Sequence, residues 1–227
     1  MTARAYQLPA SSLSGLPPRL SWQEAFRFPI GTPEGRHDVL IGGIAVILLL
    51  PIGWILNLGA RLDVVQRLFD NNPPYFRGFH PWRRTFRRGC VSAATIFSYL
   101  SPAMLSAALA WYTHHIGSSS WVVGAWIGIA VAAFVLGVFT LPGCMTVYAC
   151  EKDPEVLWHP ARAFARARRA GGEYGKAWLI SLAAVALSLF GLLGLVIGFV
   201  FTSVWAWEVV GYAFTVAMYS SSVQGRR

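Results

Sequence analysis

The sequence predicts an all-α fold: a polytopic transmembrane helical bundle of about five spans. Composition is the first observation behind it. Of 227 residues, 55% are hydrophobic and only 13% charged, with a mean hydropathy of +0.49, whereas an ordinary soluble domain carries about 25% charged residues. The second observation is that several uncharged runs exceed the roughly 18 residues that mark a transmembrane helix. The third is charge placement. The 19 Lys and Arg outnumber 10 Asp and Glu, for a net charge of +9; none of them lies between Trp111 and Tyr148. Instead they gather before the first apolar run, in two internal segments near 61–89 and 151–176, and at the end. Basic loops alternating with uncharged spans follow the positive-inside rule. The expected location is therefore the bacterial inner membrane, multi-pass, with both basic loops cytoplasmic.

Residues 1–37 form an arm rich in Pro and Ser. It has no early apolar run and does not read as a secretory signal. The helical membrane domain is expected over 38–220. Its first span covers about Val39 to Ala60, with Pro51 at the middle, where the missing backbone donor kinks a helix. Two readings follow. Either the span crosses with a kink, leaving the arm outside, or Pro51 marks a hairpin that returns it to its starting side. The second span covers about Cys90 to Tyr112 with Pro102 inside it, and THHIGSSS is its outer turn. The third runs from about Trp121 to Ala149. Between Ala177 and Tyr219 the only charge is Glu208. One helix of that length would be about 64 Å long at 1.5 Å per residue, twice the hydrocarbon thickness. A turn near Gly198 to Ser203 gives a fourth and a fifth span; one span followed by an interfacial helix is the alternative. Residues 221–227 are a short basic tail.

The stretch HPWRRTFRRG carries four arginines. At about 100° per residue, Arg83, Arg84, Arg87 and Arg88 share an arc of roughly 140°, with Trp82 and Phe86 opposite. This reads as a short amphipathic helix in the headgroup plane, its arginines on anionic lipid and its aromatics in the acyl boundary. The bland reading is topology and lipid contact; a docking surface for a partner is the sharper one. No nucleic-acid partner is expected, because no stacking platform accompanies the charges. HPWRRTFR and HPARAFAR share His-Pro-x-Arg-x-x-x-Arg, and the second copy places Arg162, Arg166 and Arg169 on one stripe. Each precedes two apolar spans, which points to a repeated unit of surface helix plus membrane hairpin.

Within the spans, Glu208 and Asn57 are the strongly polar residues. An ionisable group inside a membrane prompts a functional hypothesis; hydrogen-bonded structural glue is the plainer reading of Glu208, and proton or cation handling the alternative. Asn57 reads as a bond to a neighbouring helix. Gly124 with Gly128, and Gly194 with Gly198, are GxxxG pairs that allow close helix packing within the chain or against another subunit. No metal site is expected: Cys90, Cys144 and Cys150 form no CxxC pair, and His114 and His115 diverge on a helix. No Walker loop, GxSxG elbow or HExxH occurs, so no catalytic residues and no enzyme activity are expected.

The segments IGGIAVILLLPIG, NLGARLDVVQR, PPYFRGFHPWRRTFRRG, YLSPA and VVGYAFTVAMY, spread over about Trp22 to Tyr219, resemble an uncharacterised bacterial and archaeal integral membrane family, the domain of unknown function number 4013. The resemblance implies an all-helical membrane fold and brings no activity. The functional expectation is a non-catalytic accessory or scaffold subunit packing against other membrane proteins and anionic lipid. The alternatives are a small transporter or permease component using Glu208, and an accessory subunit of an electron-transfer or light-harvesting complex. No cofactor is expected, beyond a bound pigment, quinone or lipid under the last alternative.

Overall fold

A computed structural model describes residues 16–72, 74, 79 and 81–224. Among these residues the secondary structure is helical throughout: α1 (Trp22–Arg27), α2 (Pro33–Leu48), α3 (Ile52–Phe69), α4 (Trp82–His115), α5 (Ser120–Glu151), α6 (Glu155–Trp158), α7 (Ala161–Ala170), α8 (Gly172–Phe190) and α9 (Leu195–Gln224). A 3-10 turn, Gly191–Gly194, joins the last two. Four segments are long and apolar enough to cross a membrane: Trp82–His115, Ser120–Glu151, Gly172–Leu193 and Ile197–Ser220. They form two antiparallel hairpins, α4 with α5 and α8 with α9. The starts of α4 and α8 and the ends of α5 and α9 therefore share one end of the bundle. This basic end also holds α6 and α7.

Both long helices of the first hairpin contain proline, and the local chemistry keeps them continuous. Pro102 cannot donate to the Ser98 carbonyl, and the Ser101 hydroxyl donates to it instead at 2.8 Å. Such local replacement is what lets proline persist in apolar helices. The outer halves of α4 and α5 have few neighbours. Met104, Leu105, Trp111 and Trp121 are exposed, while the large buried side chains Tyr219, Phe214, Ile180 and Leu157 lie elsewhere. The core thus sits toward the basic end, and the α4–α5 hairpin extends beyond it as an apolar blade.

The first apolar run folds back on itself. Its helix stops at Leu48, Pro51 follows a cis Leu50–Pro51 peptide, and α3 runs back along α2. The kinked crossing gives way to the hairpin because Asn57, fifteen positions after Gly42, bonds the Gly42 carbonyl at 3.0 Å. In one straight helix those residues would stand about 22 Å apart. The arm consequently lies at the basic end and not on the opposite side. From residue 16 it is packed: Leu20 and Ala25 are buried, the Leu20 carbonyl accepts from Lys176, and the Trp205 indole donates to the Phe26 carbonyl at 3.3 Å. Residues 1–15 lie outside the described residues.

Two further boundaries differ from expectation. The last reversal falls at Gly191–Gly194 and not at Gly198 to Ser203; there the Thr202 hydroxyl donates to the Ser188 carbonyl at 2.8 Å and closes the turn. Residues 82–88 are not a separate surface helix. They are the first turns of α4, whose N-cap position is Pro81. The second basic copy does form its own helix, α7, which buries Ala163 and Ala170. The difference lies at Gly171, with φ of +53°, a left-handed geometry that glycine adopts without strain and that breaks α7 from α8. His80, which opens the first copy, lies outside the described residues.

Candidate functional site

The site is built from the α2–α3 hairpin and α9. Three glycines allow their close approach. A methyl group on Gly53 would lie 2.0 Å from the Ala45 carbonyl oxygen, one on Gly42 2.6 Å from Asn57 Oδ1, and one on Gly43 2.2 Å from the Phe201 ring. The Asn57 amide donates to both Gly53 O at 2.8 Å and Gly42 O. It holds the two arms of the hairpin together through carbonyl oxygens, as interhelical amides do in apolar surroundings. The bond joins the two halves of the first apolar run, not that run to another span.

One helical turn from this contact, three ionisable side chains converge. Asp38 precedes Gly42 by four residues, Arg61 follows Asn57 by four, and Glu208 follows Val204 by four. Because residues four apart share a helix face, the register that joins Gly42, Asn57 and Val204 also brings Asp38, Arg61 and Glu208 together. All three, with Asn57, Trp54 and Trp207, line one cavity of about 70 Å³. A water needs roughly 10–15 Å³ by this measure. The cavity therefore takes a few waters or a small ion and excludes a sugar or nucleotide. Asp38 is buried at 5% exposure, and its charge and that of Glu208 act on each other. The Arg61 guanidinium lies over the Trp207 ring, 4.9 Å from its centroid, a cation–π contact that fixes its position.

The sequence singles out Glu208, which lines this cavity, but sequence reasoning missed Asp38 and Arg61. Asp38 looked like the polar edge of a span and Arg61 like the first charge after it. The available signal was the four-residue spacing on either side of Pro51, which takes effect once the chain reverses there.

Some of the clustered arginines find partners within the chain. Asp63 on α3 receives Arg88, and at 3.9 Å Arg84. The Gln66 side-chain Oε1 accepts from both, at 2.6 Å from Arg88 and 3.2 Å from Arg84, and Thr85 donates to Asp63 at 3.1 Å. On the second copy Arg162 pairs with Asp153, and Arg166 with Glu151, beneath the ring of Tyr219. Arg84, Arg88, Arg162 and Arg166 thus each pair with a carboxylate of this chain. A carboxylate within reach gives a guanidinium a short, charge-assisted contact of fixed geometry. Among the described residues no carboxylate pairs with Arg83, Arg87, Arg168 or Arg169, and all four are exposed. Arg83 lies over the exposed Trp82 ring at 5.7 Å, and Phe86 is half-buried.

The glycine pairs also divide. Methyl groups on Gly124 and Gly128 would meet nothing within 4 Å, so that pair packs no helix of this chain. Gly198 meets Gly191 at the last reversal, where an added methyl would lie 2.5 Å from the Gly191 carbonyl oxygen. The surroundings of Gly194 lie outside the described residues. The closest helix crossing was missed: methyls on Gly59 and Gly89 would lie 1.9 Å from the Thr85 and Ile55 carbonyl oxygens. Neither glycine belongs to a GxxxG pair, so nothing local singled them out. Among the described residues no group of three His, Cys, Asp or Glu is placed to hold a metal ion.

Fold and site together define a class: a multi-pass helical protein with apolar hairpins and a polar cavity beside a folded-back helix pair. No protein-family model, curated protein or solved structure matches the chain.

Proposed function

We propose that this is a small transporter or permease component that takes a proton or small monovalent cation at the Asp38–Arg61–Glu208 cavity. The observation that carries the reading is the charge of the lining. Two carboxylates and one guanidinium leave one net negative charge when all are ionised. In an apolar surrounding a carboxyl either keeps a partner or takes up a proton, and the volume admits only a proton, water or a small ion. Non-helical backbone at membrane depth is tolerated where it is buried in protein or lines a cavity, and the break at Pro51 lies in the same hairpin. Under this proposal the basic end faces the cytoplasm of a bacterial cell, and the resemblance to the uncharacterised membrane family adds no activity.

The test is flux in proteoliposomes that carry a pH-sensitive dye and an imposed potential. The purified chain is expected to pass protons or an alkali cation faster than protein-free vesicles. Glu208→Gln and Asp38→Asn are each expected to lower the rate at least tenfold with the protein still folded. Wild-type flux equal to that of empty vesicles, or flux unchanged in both variants, refutes the proposal.

A second reading, an accessory subunit packing against other membrane proteins, is favoured by the α4–α5 blade. In its most apolar window α5 is only 6% buried within this chain.

A further inference from the structure

A second cavity, distinct from the polar one, lies between the surface helices α6–α7 and the spans α4–α5. Its volume is about 670 Å³, inside the roughly 300–1,000 Å³ of ligand sites. Tyr99, Pro102, Leu136, Trp158 and Phe164 are among its walls. Trp158 and Phe164 are exposed at 63% and 54%, although each is large and apolar. The wall hydroxyls of Tyr99 and Thr140 are already bonded inside the protein, to Cys144 at 3.4 Å and to Leu136 O at 2.8 Å. The Ser98 carbonyl is likewise occupied by Ser101. Most of the remaining lining is apolar, which suits a hydrocarbon occupant.

The charge lies at one end. On α7, Ala161 and Phe164 line the groove, and Arg168 follows on the same face at helical spacing. The opposite face, with Ala163 and Ala170, is buried. Arg168 is exposed and has no carboxylate partner among the described residues. The groove runs from this surface helix at the basic end up between two membrane-crossing segments, so the solvent that fills it is the bilayer. A basic head position above a hydrocarbon slot, with Trp158 at the interface level, has the polarity of a phospholipid.

We propose that the groove is a specific site for an anionic phospholipid, with an acyl chain along Tyr99, Leu136 and Phe164 and the phosphate at Arg168. The proposal does not depend on the transport reading, because no residue is shared. The test is native mass spectrometry of the detergent-purified, delipidated chain, titrated with phosphatidylglycerol and with phosphatidylcholine of the same acyl chains. The wild type is expected to bind phosphatidylglycerol about fivefold more tightly, the effect of one near-surface charge. Arg168→Gln is expected to abolish that preference. Arg169→Gln, one residue on and about 100° round the helix, is expected to leave it intact. Ala133→Phe, which fills the groove from α5, is expected to weaken both lipids at least fivefold. Equal binding of the two lipids, equal effects of the two arginine variants, unchanged binding in Ala133→Phe, or a tightly held quinone or protein helix in place of lipid overturns the proposal. Circular dichroism of each variant separates loss of binding from loss of fold.

Discussion

Removing the charge of Asp63 tests whether the arginines at the start of α4 serve the fold or the membrane surface. Asp63→Asn keeps the side chain's shape but leaves Arg84 and Arg88 with neutral acceptors only. Arg88 is 13% exposed and Asp63 21%, so the pair lies between two regimes. Breaking a buried pair from one side costs about 3–5 kcal/mol, while an exposed pair contributes about 0–1 kcal/mol. The burial is nearer the first limit, but the bonds to Gln66 at 2.6 and 3.2 Å remain. The expected loss is therefore about 2–3 kcal/mol. Removing both charges, as in Asp63→Leu with Arg88→Met, leaves no stranded guanidinium. The singles Asp63→Leu and Arg88→Met each strand a charge and should cost at least about 2 kcal/mol, whereas the double variant should lose no more than about 1 kcal/mol, giving a coupling energy of at least about 3 kcal/mol. Reversible unfolding in mixed micelles, followed by circular dichroism, measures each corner of the cycle. A loss below about 0.5 kcal/mol for Asp63→Asn, with additive singles, would return Arg84 and Arg88 to the lipid surface and remove the α3–α4 clasp.

The same unfolding assay separates two kinds of glycine. Gly59→Ala and Gly89→Ala each place a methyl 1.9 Å from a backbone oxygen and should cost at least about 2 kcal/mol, whereas Gly124→Ala and Gly128→Ala should change stability by less than about 0.5 kcal/mol. Topology is read with a membrane-impermeant maleimide on single cysteines in a Cys90→Ser background. Cysteine at Ser118 should label from one side only, and cysteines at Arg19, Asn71 and Lys152 from the other only; labelling of Arg19 together with Ser118 would mean that the first apolar run crosses.

What the sequence made legible was the solvent. Long uncharged runs and segregated arginines predicted the helical class and the positions of α4, α5, α8 and α9 to within several residues. It was less informative where one pattern served two structures. A basic amphipathic stretch looks the same whether its arginines meet phosphate or a carboxylate on the next helix. Asp63, twenty-five positions before Arg88, could not be paired with it until α3 and α4 crossed at Gly59 and Gly89. Glu208 was legible because a lone charge in a span is anomalous. Asp38 and Arg61 were not, because each stands near the edge of an apolar run, where charges are ordinary.

The direction of the chain at Pro51 decides which of those edge charges become interior. If the run from Val39 to Ala60 crossed the membrane, Asp38 and Arg61 would lie on opposite surfaces, each solvated, and Glu208 would be an isolated carboxyl. Reversal at Pro51 folds the two edges together, and the Gly42–Asn57 bond fixes the register at which they meet. Gly43 then admits Phe201 of α9 at a distance no other residue permits, which carries Glu208 to the same level. The polar cavity is thus a consequence of one helix break and two small residues. Asn57→Leu should disperse it while leaving the four long apolar helices in place, so that flux and hairpin register fail together while the crossing topology at Ser118 does not change.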